Sequence, residues 1–356
     1  MSAPVTSSER GGGPSSVPAS IADALAGQVA RLFFDRQLSK IEIAGRLGIS
    51  RFRVARLLDK ALADGIVRIE FRDAPARDRD LGLALEGRFR INRCIVAAAS
   101  DDPQGAAAQL AAELIDGLLE SRQSIGVAWG STVARVVAAM PSRADPSIDV
   151  VQLAGNSAAM GIGTAPGDAT RLLAERLGGR AHAIHAPTFV ENSSLRIALA
   201  REPEIADTFA WFDRLSVAVV GIGAFAIEAR DVAQPRSRTA GSIGARRDER
   251  AGGPSSSLLR SGALQPEDLA GLEAAGAVGD LLVHPFDGDG RFVAPDLAAR
   301  AMAISVAALR RVPRVVAVAT GADKAVALRG ALRTGIVHVL VTDVEAATHL
   351  LETGHA

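Results

Sequence analysis

The 356-residue sequence predicts an α/β protein in two parts: a small N-terminal helical unit ending in a wing-like strand, then a larger, mostly parallel α/β unit. Three observations carry that prediction. Between Ile21 and Ala63 apolar residues recur at helical spacing in three short segments separated by turn residues. Beyond about Asp73, short Val- and Ile-rich runs alternate with helix-like stretches. Those runs are continuously apolar, as strands are when helices cover both faces of a sheet.

Residues 1–20 are rich in Gly, Pro and Ser, have nothing to bury, and are expected to be a disordered tail. Ile21, Leu25, Val29, Leu32 and Phe33 then mark a first helix reaching about Asp35. Ser39 can cap a second helix, Lys40 to Leu47, with Glu42 in the first turn where the helix dipole favours an anion. Gly48 breaks it. Ser50 can cap a third helix, Arg51 to about Ala63, which Gly65 ends. IVRIEF, Ile66 to Phe71, alternates apolar and charged residues like a half-exposed strand. The first domain is therefore set at 21–73, followed by a linker over 74–92. The second domain, 93–356, contains the strand-like runs CIVAAA, SIGVAW, IDVVQLAG, LSVAVVGIG, DLLVHPF, RVVAVATG and HVLVTD. Helix-like stretches Ala106 to Leu119, Ala169 to Leu177, Asp268 to Ala275 and Ala325 to Leu332 lie between them. A polar segment rich in Arg, Gly and Ser, 227–256, reads as a mobile insertion.

Forty basic residues balance forty acidic ones, so no protein-wide field attracts a polyanion. Any nucleic-acid binding has to come from a local patch. Cys94 is the only cysteine, which excludes an intrachain disulfide framework and a cysteine-cluster zinc site; no metal or cofactor is expected. No run supplies the roughly 18–20 apolar residues that cross a bilayer, and the N-terminus lacks the apolar core of a signal peptide. The expectation is a cytoplasmic protein with no membrane partner. Lysine occurs only at Lys40, Lys60 and Lys324; every other basic side chain is arginine.

The local patch is on the third helix. Val54, Leu57, Leu58 and Ala61 share one face, and Arg53, Arg56 and Lys60 lie on the opposite side with Phe52 beside them. A cationic helix that follows a shorter helix and a Gly-containing turn is the helix-turn-helix pattern, whose second helix enters the major groove of DNA. The candidate DNA contacts are Arg51, Phe52, Arg53, Arg56 and Lys60. Most charge runs are only solvated faces. Here the LGIS turn, the cleanly apolar opposite face and an aromatic residue on the charged side favour DNA, although Phe52 also fits a hydrophobic contact at the helix entrance. With IVRIEF as its wing, the unit reads as a winged helix-turn-helix.

Open parallel sheets bind ligands beyond the carboxyl ends of their strands. In IGVAWGST a strand ends at Trp129-Gly130, and Ser131 and Thr132 open a helix whose amides and hydroxyls can hold phosphate or sugar oxygens. In VVAVATGADK, Thr320 and Gly321 close a strand and Lys324 falls in the first helical turn, where a cation opposes the helix dipole unless an anion joins it. Glycines punctuate most strand-to-helix turns, so each turn alone is weak evidence. Gly130, Ser131, Thr132, Gly321 and Lys324 become effector-binding candidates as a set.

The segment LSKIEIAGRLGISRFRVARLLDKALADGIV resembles the N-terminal signature of the SorC family of bacterial transcriptional regulators. IGVAWGST, HAPTFVENSSLRIAL, LLRSGAL, GAVGDLLVHPFDGDG and GADKAVALRGALRTGIVHVLVTD resemble that family's sugar-binding domain. The resemblance covers nearly everything after residue 20. It implies a sugar-phosphate-isomerase-like fold for the second domain and a homo-oligomer, dimer or tetramer, on a double-stranded DNA operator. It also implies control by a small sugar, polyol or sugar phosphate. Asn156, Arg260 and Asp280 stand in the matching stretches and join the effector candidates. Val283-His284-Pro285 replaces the Gly-Arg pair that family members commonly carry before Phe-Asp, which implies a less anionic ligand. LAGN, Leu153 to Asn156, replaces a frequent double glycine. The competing reading is an isomerase- or aldolase-like enzyme with Lys324 as a Schiff-base amine. It needs an acid–base group beside the sugar, and His182, His185, His284, His338 and His349 are scattered with no motif linking them to a carboxylate. The sequence therefore favours a regulator over an enzyme.

Overall fold

The computed structural model describes residues 21–36, 38–67, 75–157, 166–225 and 256–352. The expected tail at 1–20, wing residues 68–71 and insertion residues 227–255 lie outside the described residues. The chain divides into two compact units, Met1–Asp73 and Ala74–Ala356, each with its own apolar core.

The first unit contains α1 (Ile21–Phe34), α2 (Lys40–Leu47) and α3 (Arg51–Ala63). Both anticipated caps form. Ser39 Oγ accepts the Glu42 amide at 3.3 Å while the Ser39 amide donates to the Glu42 carboxylate at 2.8 Å, a reciprocal capping box. Gly48 ends α2 at φ 65°, a left-handed conformation that costs glycine nothing. Ser50 Oγ accepts the Arg53 amide at 3.2 Å. The core joins Ile43 to the α3 stripe Val54, Leu57, Leu58 and Ala61, as periodicity predicted. On α1, however, the buried residues are Ala26, Val29 and Ala30, while Leu25, Leu32 and Phe33 pack around the rim. Alanines let the helix backbones approach closely, and the larger side chains close the edges.

The second unit is built on β1 (Arg93–Ala97), β2 (Ser124–Val127), β3 (Asp149–Gln152), β4 (Arg180–His182), β5 (Val217–Ala224), β6 (Ala277–Leu281), β7 (His284–Asp287), β8 (Arg314–Val318) and β9 (Val339–Asp343). Seven strands run parallel in the order β1-β9-β8-β5-β2-β3-β4. β6 and β7 form an antiparallel hairpin on the far end of β5. The expected DLLVHPF strand is thus two strands. The chain reverses at Leu282, a non-glycine residue at φ 63°, so an unbroken apolar run hid a turn.

The expected linker over 74–92 is corrected: Arg79–Phe89 is a helix of this unit. Asp78 caps it by accepting the Leu81 amide at 3.0 Å, and Leu81, Leu85 and Phe89 bring an i, i+4, i+8 stripe against the core. The two glycines, Glu86 and Arg88 between those positions disguised that stripe. Gly82 is needed there, because a Cβ would lie 2.8 Å from the Cys94 carbonyl oxygen.

The strand order locates a crevice. From β2 the chain moves outward through β3 and β4, then returns to β2's other side with β5 and continues to β8 and β9. The reversal between β2 and β5 is a topological switch point, where loops diverge and leave room beyond the carboxyl ends.

Candidate functional site

A small cleft, open to solvent on one side, occupies that switch point; the space between its lining atoms, open mouth included, is about 380 Å³. The turn after β2 forms one wall. Trp129 is buried, with its indole N–H donating to the Leu282 carbonyl at 3.3 Å. Gly130 follows at φ 108°, and a Cβ there would sit 2.7 Å from Ser257 Oγ, so glycine is required twice over. Ser131 and Thr132 open the helix Ser131–Ala139, whose first amides face the cleft without a side-chain cap from Gly130.

The opposite wall is charged. Asp280 on β6 is buried, and its Oδ1 accepts the Ser256 hydroxyl at 2.6 Å. Gly223 on β5 allows this, since a Cβ there would overlap the Asp280 carboxylate. Burial pushes the Asp280 carboxyl up to about 7, against the opposing pull of the Ser256 hydroxyl, Lys324 and Arg260. Lys324, at the end of the short 3-10 turn Ala322–Lys324, sends its ammonium to the Ile222 carbonyl at 3.2 Å. Desolvation lowers its pKa, with Asp323, Asp280 and Asp343 opposing the shift and Arg260 reinforcing it. Arg260 is exposed at the rim. Lys324, Arg260 and the first turn of a helix thus line the cleft together with a carboxyl whose protonated and ionised forms are both present near neutral pH. That set suits an anionic, hydroxyl-bearing ligand.

Six of the eight effector candidates line this cleft: Gly130, Ser131, Thr132, Arg260, Asp280 and Lys324. Two do not. Gly321 spends its amide on the Asp343 carboxylate, at 3.1 and 3.2 Å to the two oxygens. Asn156 donates to the Ile184 carbonyl at 3.0 Å and accepts from Gln152 at 3.2 Å, bracing the loop after β3. Both partners lie far along the chain, so neither assignment was testable from local sequence. Sequence reasoning missed Ser256, placed in the expected insertion; it is fully buried and holds Asp280. His284 is buried outside the cleft lining and bonded through Nε2 to the Ile304 carbonyl at 2.7 Å. One histidine does meet a carboxylate: His182 Nε2 lies 2.8 Å from Asp149 Oδ1. Asp149 opens β3, at the end of the sheet opposite the cleft.

In the first unit, Arg51, Phe52, Arg53 and Arg56 are exposed on α3. Arg53 and Arg56 form no ion pair among the described residues. The Arg51 guanidinium stacks on the Phe52 ring, 4.9 Å from its centroid. Lys60 differs. Its ammonium is paired with Asp23 of α1 at 3.0 Å and with Asp64, and these acceptors raise its pKa, Asp64 first. No helix among the described residues is long and apolar enough to cross a membrane, and no His, Cys, Asp and Glu grouping there could hold a metal ion.

A family model described as "Putative sugar-binding domain" matches residues 73–240 and 241–352. The sorbitol operon regulator of Klebsiella pneumoniae is 27% identical over 331 residues, covering 91% of this chain and 96% of that protein. The erythritol catabolism regulatory protein EryD of Brucella abortus is 25% identical, covering 92% and 96%. The crystal structure of the full-length sorbitol operon regulator SorC superposes with a TM-score of 0.65 at 26% identity, over 92% of this chain and 98% of that one. Matched through the whole α/β unit and aligned nearly end to end with such regulators, the chain belongs to the sugar-binding domain family of SorC-type transcriptional regulators.

Proposed function

We propose that this protein is a transcriptional regulator that binds a double-stranded operator through α3 and a small sugar, polyol or sugar phosphate in the cleft between β2 and β5. The ligand alters operator affinity. One observation carries the reading: a chain that parallels a full-length sorbitol operon regulator combines α3 arginines that form no ion pair among the described residues with a cleft lined by two cations and the first turn of a helix. A phosphate at the first turn of Ser131–Ala139 gains the helix dipole and the Lys324 charge, while Asp280 reads a hydroxyl. Similar proteins are named for a sorbitol operon and for erythritol catabolism, and both compounds belong to the hydroxyl-rich class proposed here.

The regulator acts in the cytoplasm as a homo-oligomer. Paired α3 helices about 34 Å apart then meet successive major grooves on one side of the duplex, and the ligand shifts their spacing. An enzymatic reading draws support from Asp280, a buried carboxyl titrating near neutrality close to the Lys324 amine. One experiment separates the two. The full-length protein is used to select a duplex from a randomised library. Affinity for that duplex is then measured with and without a panel of sugars, polyols and their monophosphates, and each mixture is assayed for product. A ligand that changes affinity tenfold or more without being consumed supports regulation. Failure to select any duplex, or turnover of the ligand, overturns it.

A further inference from the structure

The centre of the α3 face is aromatic rather than cationic. At about 100° per residue, the buried stripe Val54, Leu57, Leu58 and Ala61 defines one side of the helix. Phe52, in the first turn, lies within about 10° of the direction opposite its midpoint. Arg56, one turn on, lies within about 30° of that direction, whereas Arg53 and Lys60 sit on one flank and Arg51 on the other. Phe52 is 68% exposed. A phenylalanine contributes to folding by being buried, so it stabilises nothing at the position farthest from the core. Its one described ring partner is the Arg51 guanidinium, which covers one ring face. Asp59, a further turn along the same face, is exposed and repels phosphates. Only the first turn and a half of the helix therefore suits a duplex.

We propose that Phe52 is a base-reading residue that takes the C5-methyl group of thymine in the major groove. The methyl group of thymine is the only apolar feature on that groove edge, and a phenyl ring is among the side chains that pack on it. The first helical turn is the part of such a helix that meets base edges. The Arg51 stack restrains the ring before contact, so less side-chain freedom is lost on binding. The inference rests on the operator-binding role proposed for α3 and adds a sequence preference to it.

The test uses the full-length protein and the duplex it selects from a randomised library. Each thymine is replaced singly by deoxyuridine, which removes only the methyl group. The expected result is one thymine in each half-site at which deoxyuridine weakens the parent about fourfold, the effect of one buried methyl. Phe52→Ala should bind the thymine duplex correspondingly more weakly and be insensitive to deoxyuridine there. Phe52→Leu, which keeps an apolar contact, should retain part of the sensitivity. If parent and Phe52→Ala respond alike at every thymine, the proposal fails while operator binding stands. If no duplex is selected, both fail. The ring is exposed, so melting temperatures of all three proteins should agree and exclude misfolding as the cause.

Discussion

The two cationic regions of this chain use charge in opposite ways. On α3, Arg53 and Arg56 stand on a convex face with no ion pair among the described residues, backed by a core that needs nothing from them. In the cleft, Lys324 is partly desolvated, shares its surroundings with Asp280, and is tied to a backbone carbonyl. A convex array of permanent charges meets an extended polyanion at little reorganisation, and salt weakens it. A concave pair of neighbouring, partly desolvated titratable groups suits a small charged guest and is sensitive to pH. Lys60 illustrates the boundary: it lies on the convex helix but is paired with Asp23 and Asp64, and it behaves as a strut between α1 and α3.

The largest effect expected from breaking this contrast is at Asp280. Its folded-state pKa of about 7 lies above the ordinary 3.8. The folded protein therefore keeps a proton that the unfolded chain releases between those pH values. Stability falls as pH rises from about 4 to about 7, and the penalty is complete above that, on the order of 4 kcal/mol. Asp280→Asn cannot ionise and should melt higher than the parent at pH 8, with the advantage gone near pH 4. Thermal melts across that range check it; a pH-independent difference would place the effect elsewhere.

Next is Lys324→Ala. Losing a desolvated cation from an anion site should weaken effector binding on the order of 100-fold and leave basal operator affinity unchanged, as read by titrating ligand against the DNA complex. A variant that still responds would remove Lys324 from the site. Arg56→Ala, on the convex side, should cost about 1–3 kcal/mol of operator affinity and flatten its salt dependence, with the melting temperature unmoved. The smallest change in operator binding is expected from Lys60→Ala, measured in the same assay. A loss as large as that of Arg56→Ala would show that Lys60 leaves its acidic partners for DNA.

The parts of the molecule that the sequence foretold are those fixed by neighbours in the chain. The Ser39 and Ser50 caps, the helix break at Gly48 and the α3 stripe all depend on residues within a turn or two of one another. The parallel sheet was legible because strands covered on both faces advertise themselves as unbroken apolar runs. Six of the effector candidates line one cleft because turns after parallel strands converge by topology. What escaped depended on distant partners. Ser256 matters because β6 brings Asp280 to it across 24 residues. Gly321 and Asn156 lie outside that lining, their polar groups taken by Asp343 and Ile184, far along the chain. The helix Arg79–Phe89 was hidden because only three of its eleven residues carry the apolar stripe.

The bond from the Lys324 ammonium to the Ile222 carbonyl sets an entry threshold for the cleft. A guest that recruits the ammonium has to outcompete a contact already made on β5. A neutral sugar offers only another oxygen of similar strength and gains little by the exchange, whereas a phosphate offers charge and wins it. On the function proposed for this cleft, a phosphorylated guest would therefore be favoured over its unphosphorylated counterpart.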